Sequence, residues 1–219
     1  MKFPVLAVLL LAGCAHTGAG EPLQTRWRLD NLESIGGVTP EVLGAPKVVA
    51  DEARKALCFD GKSDGIFLPL NPVQGWARFT IEVLMRPDGD GPPEQRFLHI
   101  QDEAERRVLI ETRVTQEHTW SLDTFLRATE ADKLTLLDRK QVQSTDRWFW
   151  VALVYDGKTM SHHVDGAKQL EGELAFPASR AGRISLGVRQ NRIHWFKGCI
   201  AEVRFTSDAL SGRALQRPN

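Results

Sequence analysis

The segment Gly61-Lys62-Ser63-Asp64-Gly65 satisfies G-x-S-x-G, a turn that presents a nucleophilic serine when a strand enters it and a helix leaves it. Here apolar runs of strand length flank both sides, so the segment is expected to be a hairpin turn. His162 and His163 are adjacent on a segment of strand character, where successive side chains leave opposite faces and cannot share one ion. His194 and Cys199 form a lone pair without the C-x-x-C or H-x-x-x-H spacing of zinc sites. Asp60, Asp64, Asp88 and Asp90 are candidate calcium ligands, since Ca²⁺ gathers about six to eight oxygens, but turn chemistry accounts for them without an ion. No cofactor and no metal are expected, with Ca²⁺ as the alternative.

The aromatic residues carry a different chemistry. Six Trp stand against one Tyr, and an indole serves either as a core filler or as a platform for the apolar face of a sugar. Trp27, Trp148 and Trp150 fall in strand patterns and are expected in the core, whereas Trp76, Trp120 and Trp195 have more polar or turn-rich neighbours. In the run from Arg189 to Trp195, the side chains of Arg189, Asn191 and His194 set hydrogen-bonding groups beside the indole of Trp195. That combination suits a polar ring, with guanidinium and amide groups on its hydroxyls. The competing reading is a loop whose Trp195 folds back over a sheet edge.

These side chains need strands to position them. The chain has 219 residues, 42% hydrophobic and 26% charged, with 18 Gly and 11 Pro, which fits a globular, turn-rich body. Its 28 basic residues balance 28 acidic ones, which argues against nucleic acid as a partner. Phe79, Ile81, Val83 and Met85 alternate with Thr80, Glu82, Leu84 and Arg86, so the first set should be buried and the second mostly wet. Arg147 to Tyr155 is apolar at both parities and should be an interior strand. Shorter runs of the same kind occur at 26–29, 56–59, 66–70, 97–101, 108–114, 119–126, 161–164, 183–188 and 199–206, and Asp-Gly turns fall at 60–61, 64–65, 156–157 and 165–166. The expected fold is all-β, a two-sheet antiparallel jelly-roll sandwich, with one short C-terminal helix over 207–215 capped by Ser207 or Asp208.

The N-terminus is organised differently. Lys2, the apolar run from Pro4 to Ala12 and the small residues before Cys14 have the grammar of a secretory leader, too short to span a bilayer. Leu11-Ala12-Gly13-Cys14 resembles a bacterial lipobox, which implies cleavage before Cys14 and acylation of that cysteine. The expected organisation is a leader at 1–13, a lipidated cysteine and tether at 14–20, and one domain at 21–219. The expected location is the bacterial cell envelope, lipid-anchored and, with Ala15 after the cysteine, at the outer membrane.

Five blocks in order resemble the concanavalin A-like, laminin-G-like jelly-roll domain. They are Ala56 to Gly61, Phe79 to Glu82 with Arg86-Pro87, Trp148 to Gly157, Val164 to Gly166, and Gly198 to Phe205 followed by Ala209 to Ser211, with Trp27 to Asp30 resembling the opening strand. The resemblance implies two stacked antiparallel sheets and a habit of binding sugars or proteins. It also implies that the strands carrying Cys58 and Cys199 are neighbours, so the two cysteines left after lipidation could form a disulfide, the alternative being two buried thiols. Glucanases of this fold carry E-x-D-x-x-E on a strand, whereas Glu130-Ala131-Asp132-Lys133-Leu134-Thr135 lacks the third carboxylate and reads as a solvated surface segment. The resulting expectation is no enzyme but a membrane-anchored envelope lipoprotein with a lectin-like domain for carbohydrate or a surface protein. A glycan-active enzyme of the same fold and a purely structural accessory subunit are the alternatives. Carboxylates paired across a concave sheet would favour the enzyme.

Overall fold

A computed structural model describes residues 21–50, 53–145 and 147–217. Its strands are β1 (Gln24–Arg28), β2 (Glu41–Leu43), β3 (Lys47–Ala50), β4 (Lys55–Asp60), β5 (Gly65–Leu68), β6 (Phe79–Pro87), β7 (Glu94–Asp102) and β8 (Arg107–Val114). They continue as β9 (Thr119–Arg127), β10 (Lys133–Leu137), β11 (Gln143–Ser144), β12 (Phe149–Tyr155), β13 (Thr159–Val164), β14 (Ala167–Glu173), β15 (Gly182–Leu186) and β16 (Lys197–Thr206). All pair antiparallel in two sheets. Sheet I has the order β14-β13-β12-β6-β16-β4-β3, with β1 also on β16. Sheet II has the order β10-β9-β8-β7-β15-β5-β2, with β11 also on β9.

The sheets face each other over one core. Alternate positions of β6 (Phe79, Ile81, Val83, Met85) and β12 (Phe149, Val151, Leu153, Tyr155) meet Val108 and Ile110 of β8 and Trp120, Leu122 and Leu126 of β9. Trp120 is completely buried and packs edge-on against Phe149, ring centroids 5.0 Å apart, so it is a core residue despite its polar sequence neighbours. Its strand parity turns it inward, and the indole N–H is satisfied by the carbonyl of Ser144. Trp148 and Trp150 have the opposite parity to Phe149 and lie on the outer face of sheet I. Trp27 is buried against Phe205 as expected.

Three other expectations are corrected. No helix forms among the described residues. Segment 208–216 instead lies over sheet I, where Thr80 Oγ1 donates to the carbonyl of Asp208 and accepts from Leu210 N, and Glu82 Oε1 accepts from Gln216 N. Backbone groups bonded to sheet side chains are not available for helical bonds. The same cover buries Thr80 and Glu82, which the alternation had placed in water. The Gly61–Gly65 turn is not a hairpin, because β4 belongs to sheet I and β5 to sheet II; it is the corner between the sheets. Strands β2, β3, β10, β11 and β14 lacked a clear sequence signal; β3 is a short, exposed edge strand of consecutive small and branched residues, and β14 is a mostly exposed edge strand whose polar side chains blur the alternation.

Candidate functional site

Strands β7, β8, β9 and β10 pair so that three parallel rows of side chains stand on the outer face of sheet II, a bulge between Arg96 and Leu98 bringing Arg96 to the face of His99 and Gln101. The first row is Arg96, Glu111 and Asp123; the second is His99, Leu109, Phe125 and Thr135; the third is Gln101, Arg107, Arg127 and Lys133. A groove of about 400 Å³ lies over them, closed on one side by Arg189 from the β15–β16 loop.

The first row is a charge network. Asp123 Oδ2 accepts from Arg113 Nε at 2.7 Å, Glu111 accepts from Arg113 Nη2 at 3.2 Å and pairs with Arg96 Nε at 2.9 Å, and Glu94 joins both arginines. Burial and the neighbouring Asp123 carboxylate push Glu111 up to about 7 against the pull of Arg96 and Arg113. Burial also raises Asp123. The carboxylate side chains are only 4% and 1% exposed, so their oxygens serve the guanidinium groups rather than the open groove. In the second row Leu109 is buried and Phe125 half-buried, an apolar strip between the charged rows. In the third row the guanidinium of Arg127 bonds the Glu105 carbonyl at 2.9 Å and pairs with Glu130, while Arg107 donates to Glu105 at 3.2 Å.

Arg189 differs from the other arginines. Its side chain makes no hydrogen bond or ion pair among the described residues. Burial and the charges of Arg107 and Arg96 hold its pKa below the ordinary value. No carboxylate among the described residues lies within ion-pair distance of it, although Glu111 attracts it across the groove, and it is partly removed from water.

Of the residues expected at a ligand site, Arg189 lines the groove. His194 stands at its edge, Nδ1 3.6 Å from Glu94 Oε2. Asn191 is exposed on the turn closed by Arg192 N to Arg189 O at 2.8 Å, and Trp195 is half-buried; neither lines the groove. Phe125 fell within the expected strand 119–126, and Arg107 and Arg127 stand one residue beyond the expected strands 108–114 and 119–126; the parity they share with Leu109 and Phe125 is the signal that could have singled them out.

The other motifs resolve simply. The backbone N–H groups of Ser63, Lys62 and Asp64 overcome burial and pull Asp60 down to about 2, and Ser63 Oγ donates to Asp60 rather than to a base. Asp64 accepts from the N–H groups of Ala45 and Asp60, and Asp90 pairs with Lys197. His162 bonds Thr124 on the core side and His163 bonds Ser161, so the two rings do point apart. Cys58 and Cys199 are cross-strand partners joined by a disulfide, Cα atoms 4.0 Å apart, which removes Cys199 from any pairing with His194. Among the described residues no group of three or more His, Cys, Asp or Glu could hold a metal ion. Glu130 and Asp132 sit in the exposed β9–β10 turn, although the residues after them form β10. Cys14 lies outside the described residues.

A family model described as the concanavalin A-like lectin/glucanases superfamily matches residues 60–216. No curated protein sequence matches the chain. Among solved structures, the chain is similar to domain 4 of AbnA, a GH43 extracellular arabinanase from Geobacillus stearothermophilus, solved in complex with arabinotriose. The TM-score is 0.66 at 18% identity, covering 88% of this chain and 96% of that one. It is similar also to the binding domain of Paraclostridial Mosquitocidal Protein 1 (TM-score 0.64, 11% identity, 88% of this chain and 50% of that one). A third is the binding domain of Botulinum Neurotoxin DC in complex with SialylT (0.62, 10%, 87% and 49%). The chain spans about half the length of the two toxin domains. At these identities the likeness shows the shared fold.

Proposed function

The chain belongs to the concanavalin A-like lectin/glucanases superfamily, and from that membership we propose that it is a noncatalytic carbohydrate-binding module whose groove over Leu109 and Phe125 takes a sugar carrying a carboxylate. The observation that carries this reading is the guanidinium of Arg189, without an ion pair among the described residues, lining the same groove as a half-buried aromatic ring. A pyranose face laid on Phe125 would bury apolar C–H surface, and a carboxylate reaching Arg189 would meet a planar fork of donors that no carboxylate among the described residues bonds. The third row adds positive potential through Arg107, Arg127 and Lys133. Two neighbours of this fold were solved with carbohydrate ligands, as their descriptions state, which supports the sugar class.

The test is calorimetric titration with oligogalacturonate and with a neutral arabino-oligosaccharide of equal length. Phe125→Ala should weaken both by about tenfold or more, roughly 1.4 kcal/mol. Arg189→Ala should weaken only the acidic ligand. Equal affinity of the wild type for both sugars would overturn the carboxylate assignment, and unchanged binding by Phe125→Ala would overturn the groove.

One observation favours a second reading. Glu111 and Asp123 are paired carboxylates on neighbouring strands, and a carboxyl held at about 7 can donate a proton at neutral pH. A glycosidase of this fold would use such a pair. Their burial and their bonds to Arg96 and Arg113 weigh against access to a glycosidic oxygen. Glycan hydrolysis that disappears in Glu111→Gln would establish the enzyme instead.

The anchor belongs to the same proposal: Cys14 is acylated and holds the module at the bacterial outer membrane. Mass spectrometry of the mature N-terminus should find a lipidated cysteine, and an unmodified terminus beyond Cys14 would refute it.

A further inference from the structure

The opposite face of the sandwich carries a second charged groove that the carbohydrate reading does not use. It holds about 690 Å³ over the outer face of sheet I, above Leu84 and Ala201. Its cations come from separate directions: Arg26 and Arg28 from β1, Lys55 from β4, Arg204 from β16 and Arg217 from the C-terminal segment. Among the described residues the acids that line it are Asp30 and Glu202, and Glu202 is already paired with Arg26 and Arg204. Arg28 and Lys55 are exposed and make no hydrogen bond or ion pair among the described residues.

Two indoles hold part of this array in place. Arg204 lies 5.1 Å from the centroid of Trp150, and Arg54 and Arg86 lie 5.1 and 5.6 Å from that of Trp148. Stacking on the indoles restricts the rotation of these guanidinium groups, and Arg204 Nε is in addition paired with Glu202. Because cations occupy the indole faces, these tryptophans are poor platforms for a sugar ring.

We propose that this groove is a binding site for a phosphate-bearing ligand, held by Arg28, Lys55, Arg204 and Arg217. A planar carboxylate is satisfied by one guanidinium fork, whereas the tetrahedral oxygens of a phosphate accept from donors on several sides. Cations reaching in from four separate chain segments match the second geometry. The shared chemistry is a phosphate ester, whether on a phosphorylated sugar or on a lipid headgroup. The site stands independently of the Phe125 groove.

The test uses the full chain in nonionic detergent and three probes: fructose 1,6-bisphosphate, dihexanoyl phosphatidate below its critical micelle concentration, and oligogalacturonate. At least one phosphate probe should bind, with affinity falling as salt rises. Arg28→Glu and Lys55→Glu, both at exposed unpaired positions, should each cut that affinity about tenfold or more while leaving the melting temperature and oligogalacturonate binding at the opposite face unchanged. Tighter binding of the bisphosphate assigns the sugar source, and tighter binding of the phosphatidate assigns the lipid source. Absence of binding by both phosphate probes at millimolar concentration overturns the site. So does phosphate affinity that is the same in both variants as in the wild type.

Discussion

Replacing Glu111 by Gln removes the most displaced carboxyl in the Phe125 groove while keeping its size. Glu111 is held at about 7 rather than its ordinary 4.5. A carboxyl whose pKa is raised by folding contributes full stability below its unfolded value and loses that contribution as pH rises through the folded one. The window is therefore pH 4.5 to about 7. At about 1.36 kcal/mol per pH unit, the wild type should lose ~3 kcal/mol across this window that Glu111→Gln does not lose. Histidines act in the opposite sense, since burial lowers His99 to about 3 and His162 to about 4. Only the difference between the two proteins isolates the carboxyl. Urea unfolding of both at intervals from about pH 4.5 to pH 8, followed by tryptophan fluorescence, gives that difference directly. It should shrink or reverse by ~3 kcal/mol as pH rises, with the steepest change midway through that window and a levelling off above it. Stability curves that run parallel over the whole range would refute the reasoning, because they would show Glu111 titrating alike in both states.

Replacing both Cys58 and Cys199 by Ala opens a loop of 141 residues in sequence separation and should cost about 5 kcal/mol in denaturant unfolding under oxidising conditions; a loss below about 1 kcal/mol would contradict the chain-entropy account. His162 is buried and neutral, so its contribution is present above pH 6.5 and is lost as pH falls toward about 4. His162→Gln should accordingly flatten the acid limb of the stability profile by ~3 kcal/mol, and an unchanged acid limb would count against it. Gly187 has φ of +79°, and a Cβ there would stand 2.3 Å from the ring of Phe59, so Gly187→Ala should lower the melting temperature by several degrees or more; an unaltered value would show that the β15–β16 loop relaxes freely.

What the sequence determined alone is what two-residue periodicity and local turn chemistry determine. Alternation in 79–86 and the apolar run ending at Tyr155 placed the inner face of sheet I, and the Asp-Gly pairs at 156–157 and 165–166 marked the turns between β12, β13 and β14. These signals are legible because a strand's parity depends only on its own residues. Five ordered blocks were enough to reach the family and the neighbouring strands of Cys58 and Cys199. The groove was not legible in the same way. Arg96, Glu111 and Asp123 form a row only because β7, β8 and β9 pair in one register, and a one-residue slip would turn Phe125 into the core. Arg189 entered the candidate site from composition, yet the mostly cationic surroundings that Arg107 and Arg96 give it appear only when the loop is seen beside them. Trp120 has polar sequence neighbours and Trp150 apolar ones, yet strand parity sends Trp120 into the core and Trp150 to the outer face beneath Arg204. The C-terminal segment shows the same limit, since its helix-forming residues were outcompeted by Thr80 and Glu82, more than a hundred residues away in the chain. Charges and hydroxyls that meet across sheets are set by long-range pairing, and no local pattern encodes which partner each will find.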